Sequence, residues 1–168
     1  MPKKVISALS KAFKDLSAIG KLKAEVELFA QCSRDAIYRL RYDNMQYDYI
    51  SPSVFNLLGY TSEELMQIHM RSLIIETRIL GDEINIVDSY IGLEENRKNR
   101  EVGKWQADYL MKTKDGRKIW VSDISYPWFD KKGAIIGSNG SLRDISERVL
   151  LEEKIRAQIA KNEVEVTN

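Results

Sequence analysis

Apolar residues recur every three and four positions through the first thirty residues, then change period abruptly near Asp35. Val5, Leu9, Ala12, Leu16, Ile19 and Val26 form a stripe, with Lys3, Lys4, Lys11, Lys14 and Lys21 mostly off it, which predicts an amphipathic helix. Written as heptads, Val5, Ala12, Ile19 and Val26 share one seam position and Leu9 and Leu16 the other. Lys23 falls on the seam and Gly20 weakens the middle. Three uses stay open for such a helix: packing on its own domain, pairing with a second helix, or lying on a membrane surface through its lysine-rich face.

From Asp35 the period is two. Ala36–Arg41 and Met45–Ile50 read as strands joined at Asp43-Asn44. Val54, Phe55, Leu57 and Leu58 then suit a short helical turn closed by Gly59, and Thr61-Ser-Glu-Glu64 has the spacing of a capping box. Residues 67–100 read as helical, with Ile84, Val87, Ile91 and Leu93 striping the segment from Asp82 to Glu95. Alternation returns in Lys104–Lys112 and Lys118–Trp128. Asp115-Gly116 between them signals a two-residue hairpin loop, and Asp130–Gly133 makes a second turn into a last strand. That strand carries small residues at its centre, Ser138 and Gly140. It runs through Asp144-Ile-Ser-Glu-Arg148 directly into a charged helix bearing Leu151, Ile155 and Ile159.

These elements predict an α+β fold with a five-stranded antiparallel sheet, helices on one face, and a helix at each end. The boundaries fall at 1–34 for the N-terminal helical extension, 35–148 for the domain, and 149–168 for the C-terminal linker helix. Composition narrows the function. The 168 residues suffice for one buried core, and a formal net charge of +1 with 30% charged residues gives no basic excess for nucleic acid. No apolar run is long enough to span a bilayer, and lysines interrupt any signal-peptide core, so a cytoplasmic protein without a transmembrane segment is expected. One Cys and one His exclude an internal disulfide and a Cys/His metal cluster.

Asp35-Ala-Ile-Tyr38 through Tyr49-Ile-Ser-Pro52 and Leu57-Leu-Gly-Tyr-Thr-Ser-Glu-Glu-Leu65 resemble the N-terminal half of a PAS sensory domain. Asp144-Ile-Ser-Glu-Arg148 resembles the signature that ends such domains. The resemblance covers about Asp35 to Arg148. It implies that Trp105, Tyr109, Met111, Val121, Asp123, Ser125, Ser138, Gly140 and Leu142 face a helical lid and line a ligand pocket, with Ala107, Ile119 and Ile136 on the same side. Asp144, Ile145, Ser146, Glu147 and Arg148 then pass a signal from the last strand to the C-terminal helix. Asp123 and Ser125 sit among apolar neighbours, so they need hydrogen-bond partners or a polar ligand. Small residues at Ser138 and Gly140 either leave a cavity or let Trp105, Tyr109 or the lid approach closely.

The opposite side of the sheet carries Trp120, Ile124, Tyr126 and Trp128. This set is too apolar to stand uncovered, which implies the N-terminal helix, a second protomer, or both against it. A homodimer is therefore expected. A small-molecule ligand and a downstream kinase or cyclase domain, as in two-component and related signalling, are the other implied partners; a ligand-free dimerisation module is the alternative.

No cofactor is obligatory. A light-oxygen-voltage flavin adduct needs a reactive Cys where this chain has Met70, and Leu142 stands where a flavin-bonding glutamine is expected. Haem needs an axial ligand, and the sole His69 lies near the start of the connecting segment. Cys32 reads as a small buried residue. The acidic pairs Glu63-Glu64, Glu94-Glu95 and Glu152-Glu153 read as solvated helix faces or caps. No phosphate-binding loop or nucleophile turn is present, so the chain itself is expected not to be an enzyme.

Overall fold

The computed structural model describes the backbone of residues 3–79 and 95–167; within these, the side chains of 3–14, 23, 31, 79 and 163–167 are not described. The predicted helix from Asp82 to Glu95 lies outside them except for Glu95, which opens a helical turn of residues 95–98.

Helix α1 spans Lys3–Cys32. It meets the domain near its C-terminal end, where Ala30 is buried, while Leu16, Ile19, Leu22 and Phe29 are each more than half exposed. Cys32 is exposed as well, contrary to expectation, because the helix turns Ala30 rather than its last residue toward the domain. Strand β1 is Ala36–Arg41, as predicted, and β2 is Tyr47–Ile50. The second strand starts two residues late. Met45 adopts a left-handed backbone with φ of 55°, and the Arg41 N–H reaches back to the Gln46 carbonyl, so Met45 and Gln46 belong to the turn.

Helix α2 (Val54–Leu58) ends on Gly59, whose φ of 78° is readily available to glycine and whose N–H caps the Phe55 carbonyl. Helix α3 (Ser62–Met66) starts with the predicted capping box, the Thr61 hydroxyl accepting from the Glu64 N–H and the Glu64 carboxylate from the Thr61 N–H. Glu64 also pairs with Lys114, in the turn around Asp115-Gly116, at 2.5 Å, tying α3 to that hairpin.

Residues 67–100 are not helical throughout. A short 3-10 helix, Met70–Leu73, leads straight into strand β3, Ile74–Ile79. The run Leu73-Ile-Ile-Glu-Thr-Arg-Ile79 contains β-branched residues that fit a pleated edge, and pairing with the strand Trp105–Lys112 decides the outcome over helical propensity. The sheet therefore has six strands, one more than expected. β4 (Trp105–Lys112), β5 (Lys118–Phe129) and β6 (Ile135–Asp144) complete it, in the order β2-β1-β6-β5-β4-β3, with all neighbours antiparallel.

The loop between β4 and β5 is longer than the predicted two residues. The Thr113 N–H bonds the Arg117 carbonyl across Lys114-Asp115-Gly116, and Gly116 takes the left-handed position with φ of 87°. The core lies between one sheet face and α2, α3 and the 3-10 helix, with Tyr38, Leu58, Leu65, Tyr109, Met111, Val121 and Leu142 at its centre. Helix α4 (Ser146–Thr167) leaves the end of β6 and is exposed from Leu150 to Asn162.

Candidate functional site

Alternation along β4, β5 and β6 sorts the sheet into two faces. Trp105, Tyr109, Met111, Val121, Asp123, Ser125, Ser138 and Leu142 are all buried on the inner face, together with Ala107 and Ile119. Gly140 is half-buried between the faces. A Cβ there would stand 2.6 Å from the Tyr38 ring and 2.8 Å from the Ile124 carbonyl. The small residue therefore serves a close approach, and the group that approaches is Tyr38 of β1, paired with Gly140 in register, rather than Trp105, Tyr109 or a lid.

The inner face holds a polar cluster inside an apolar shell. The Tyr38 hydroxyl donates to Asp123 Oδ1 at 2.8 Å, Tyr109 bonds the same carboxylate, and the Trp105 ring N–H donates to the Tyr109 oxygen at 2.8 Å. Arg97, whose side chain is 3% exposed, brings Nη2 to 3.9 Å from Asp123 Oδ2. Ser125 lies beside the Tyr38 hydroxyl, and the buried Ser138 hydroxyl makes no hydrogen bond among the described residues. Burial raises the Asp123 carboxyl to about 6, against the opposing pull of Arg97 and the two tyrosines, and burial together with the Asp123 charge pushes the Tyr38 phenol well above its ordinary range. The Asp123 carboxyl is thus more readily protonated than an exposed aspartate. Tyr38 and Arg97 were not legible as members. Tyr38 looks like any apolar strand residue, and Arg97 lies in a run of charged residues that reads as solvated.

Met70, where an adduct-forming cysteine would stand, is buried, and the Tyr47 hydroxyl contacts its sulfur at 2.6 Å. Leu142 is fully buried in the core. Neither position carries a thiol or a carboxamide. His69 is exposed on the loop before the 3-10 helix. Among the described residues no group of His, Cys, Asp and Glu is arranged to hold a metal ion.

On the outer face Trp120, Ile124 and Trp128 are half-buried and Tyr126 is exposed. The two tryptophans are partly covered by the chain's own arginines: Arg78 lies 3.8 Å from the Trp120 ring centre and Arg39 lies 4.6 Å from that of Trp128. A groove of about 660 Å³, lined by Val26, Ile37, Tyr49, Ile124 and Tyr126 among others, separates α1 from this face.

The joint to α4 sits at the end of that face. Asp144 Oδ1 accepts the Ser146 N–H at 2.8 Å, which fixes the turn before the helix. The Ile145 N–H donates to the Trp120 carbonyl at 2.8 Å, and the Trp120 N–H donates to Ser146 Oγ at 2.9 Å. Ile145 and Val149 are buried, Glu147 is exposed, and Arg148 donates to Asp108 of β4 at 2.8 Å. Nearby, Arg143 forms a two-pronged pair with Asp35, at 2.9 and 2.6 Å, joining the end of β6 to the entry of β1. Asp35 and Asp108 lacked any sequence signal for these roles, since their partners are about forty or a hundred residues away.

A family model described as PAS domain matches residues 35–147. Among solved structures, the PAS domain of a protein from Colwellia psychrerythraea is 25% identical, with a TM-score of 0.54 over 75% of this chain and 98% of that one. The N-terminal domain of a diguanylate cyclase with PAS/PAC sensor from Marinobacter aquaeolei is 20% identical, with a TM-score of 0.53 over 68% and 97%. A sensory box histidine kinase/response regulator from Burkholderia thailandensis is 16% identical, with a TM-score of 0.55 over 83% and 97%. No curated protein matches the chain.

Proposed function

The chain belongs to the PAS domain family, and from that premise we propose that it is a cytoplasmic sensory module of residues 35–148. In this reading it responds to a small ligand at the Asp123 cluster and passes the response through α4 to an output domain of the kinase or cyclase kind. One observation carries this reading. Strand β5 turns Val121, Asp123 and Ser125 into the core, while its neighbour Trp120 holds the base of α4 through both its backbone groups, accepting from the Ile145 N–H and donating to the Ser146 hydroxyl. A change in charge or contacts at Asp123 is therefore three residues from the helix base, along one strand. Such a signal needs two states that the ligand stabilises unequally; tight binding alone shifts nothing. The sensor-bearing cyclase and kinase among the similar structures support the output assignment that the family resemblance implies. Among the described residues no helix is long and apolar enough to cross a membrane.

Native mass and an absorption spectrum of the freshly purified chain test the proposal. An additional small mass, lost in Asp123→Ala, supports ligand binding at the cluster; protein mass alone across several preparations contradicts it. Colour would bring back a flavin or haem.

A second reading, dimerisation, is favoured by α1. Leu16, Ile19, Leu22, Val26 and Phe29 follow at helical spacing and are at least half exposed, beside an apolar groove on the same protein. Sedimentation at micromolar concentration should give a dimer that weakens when residues 1–30 are deleted, and a strictly monomeric full chain would sink this reading.

A further inference from the structure

We propose that Arg78 of the edge strand β3 is a positioning residue for the signalling helix, latching β3 to the base of α4 through the ring of Trp120. This inference rests on the transmission role proposed for α4 and adds a second input to it.

Three elements meet at this guanidinium. Arg78 lies 3.8 Å from the centre of the Trp120 ring, inside the range of a strong cation–π contact. Its Nε donates to Glu76 Oε1 at 3.0 Å, two residues back on the same strand. A small cleft lined by Arg78, Val149, Glu152, Glu153 and Arg156 lies between the same side chain and the first turns of α4. Trp120 in turn bonds α4 through both backbone groups, to the Ile145 N–H and the Ser146 hydroxyl. The ring and the backbone of one residue thus face β3 and α4 respectively.

The strand register makes the contact specific. Arg78 pairs with Asp108 across β3 and β4, and Asp108 takes the Arg148 guanidinium of α4. A shift of β3 along β4 therefore moves the cation over Trp120 and alters the surroundings of the carboxylate that anchors Arg148. Only an arginine or lysine at position 78 can act in this way; a neutral residue of similar length keeps the packing and loses the attraction to the ring.

Hydrogen exchange of the intact chain tests the latch, read at the amides of residues 145–150. Arg78→Ala is expected to raise exchange there by about two- to fivefold, with Tyr109 and Val121 still protected. Arg78→Lys should restore part of the protection, and Arg78→Met should not, although it fills similar space. A double-mutant cycle with Trp120→Leu should show that the two changes are not additive. Equal protection in Arg78→Ala and wild type, or full rescue by Arg78→Met, would overturn the latch. Asp144→Ala separates the two levels of the argument. If it loosens α4 while Arg78→Ala does not, the joint stands and the latch fails; if neither loosens α4, both fail.

Discussion

The two faces of the sheet each bury an aspartate beside an arginine, and the pairs are built for different work. On the inner face Asp123 and Arg97 are both almost fully buried and stand 3.9 Å apart, with tyrosine hydroxyls supplying the close contacts. On the outer face Asp108 is buried but Arg148 is half exposed, and they meet at 2.8 Å. Burial raises the Asp123 carboxyl above the ordinary range against the opposing pull of Arg97, while the outer pair joins a strand to a helix that water reaches. The difference teaches that one sheet can hold two aspartate–arginine pairs of opposite character, one sealed and loosely spaced, the other close and open to water on its cationic side.

The largest effect should come from removing the inner charge. Asp123→Ala removes the buried carboxylate that Tyr38, Tyr109 and Arg97 share and should cost on the order of 3 kcal/mol at pH 7, read by urea denaturation. A cost as small as that of Arg148→Ala would erase the contrast between the faces.

Gly140→Ala should follow, since the new methyl meets the Tyr38 ring and the Ile124 carbonyl at once. Such overpacking costs about 1–3 kcal/mol. Combining it with Tyr38→Phe should recover little, because ring carbon and backbone remain in the way.

The pH dependence sharpens the comparison further. Folded Asp123 keeps its proton up to about 6, whereas the unfolded group releases it near 3.8. The stability contributed by the raised value is therefore full below about pH 4 and is lost as pH rises through 6. Subtracting the stability of Asp123→Asn from that of wild type should leave this falling curve. A flat difference would place Asp123 outside the titrating range.

The smallest effects belong to the outer joint. Arg148→Ala and Asp144→Ala should each cost about 0.5–1 kcal/mol, with the loss confined to exchange in α4. Global loss of protection in either variant would make these residues part of the core.

Much of this was legible in the chain. Alternation within each strand, aligned by the family resemblance, placed Trp105, Tyr109, Val121, Asp123 and Leu142 on one face; local spacing located the Thr61 capping box, and the resemblance marked Asp144 as the start of the joint. Two kinds of feature escaped. Strand β3 was read as helix because six residues of mixed pattern acquire their state from pairing with β4. The partners Tyr38, Arg97 and Asp108 escaped because a buried polar contact between distant segments leaves no periodicity in either. A sequence shows which face a residue takes more readily than what it touches there.

The central claim is that the Asp123 cluster and the base of α4 form one coupled unit. It is tested most directly by hydrogen exchange of wild type and Asp123→Asn at pH 7, comparing residues 145–150 with Ile37 and Leu40 on β1. The account predicts that exchange at the helix base changes at least twofold while β1 stays protected. Identical exchange at residues 145–150 in the two proteins, with the inner face altered, would contradict it.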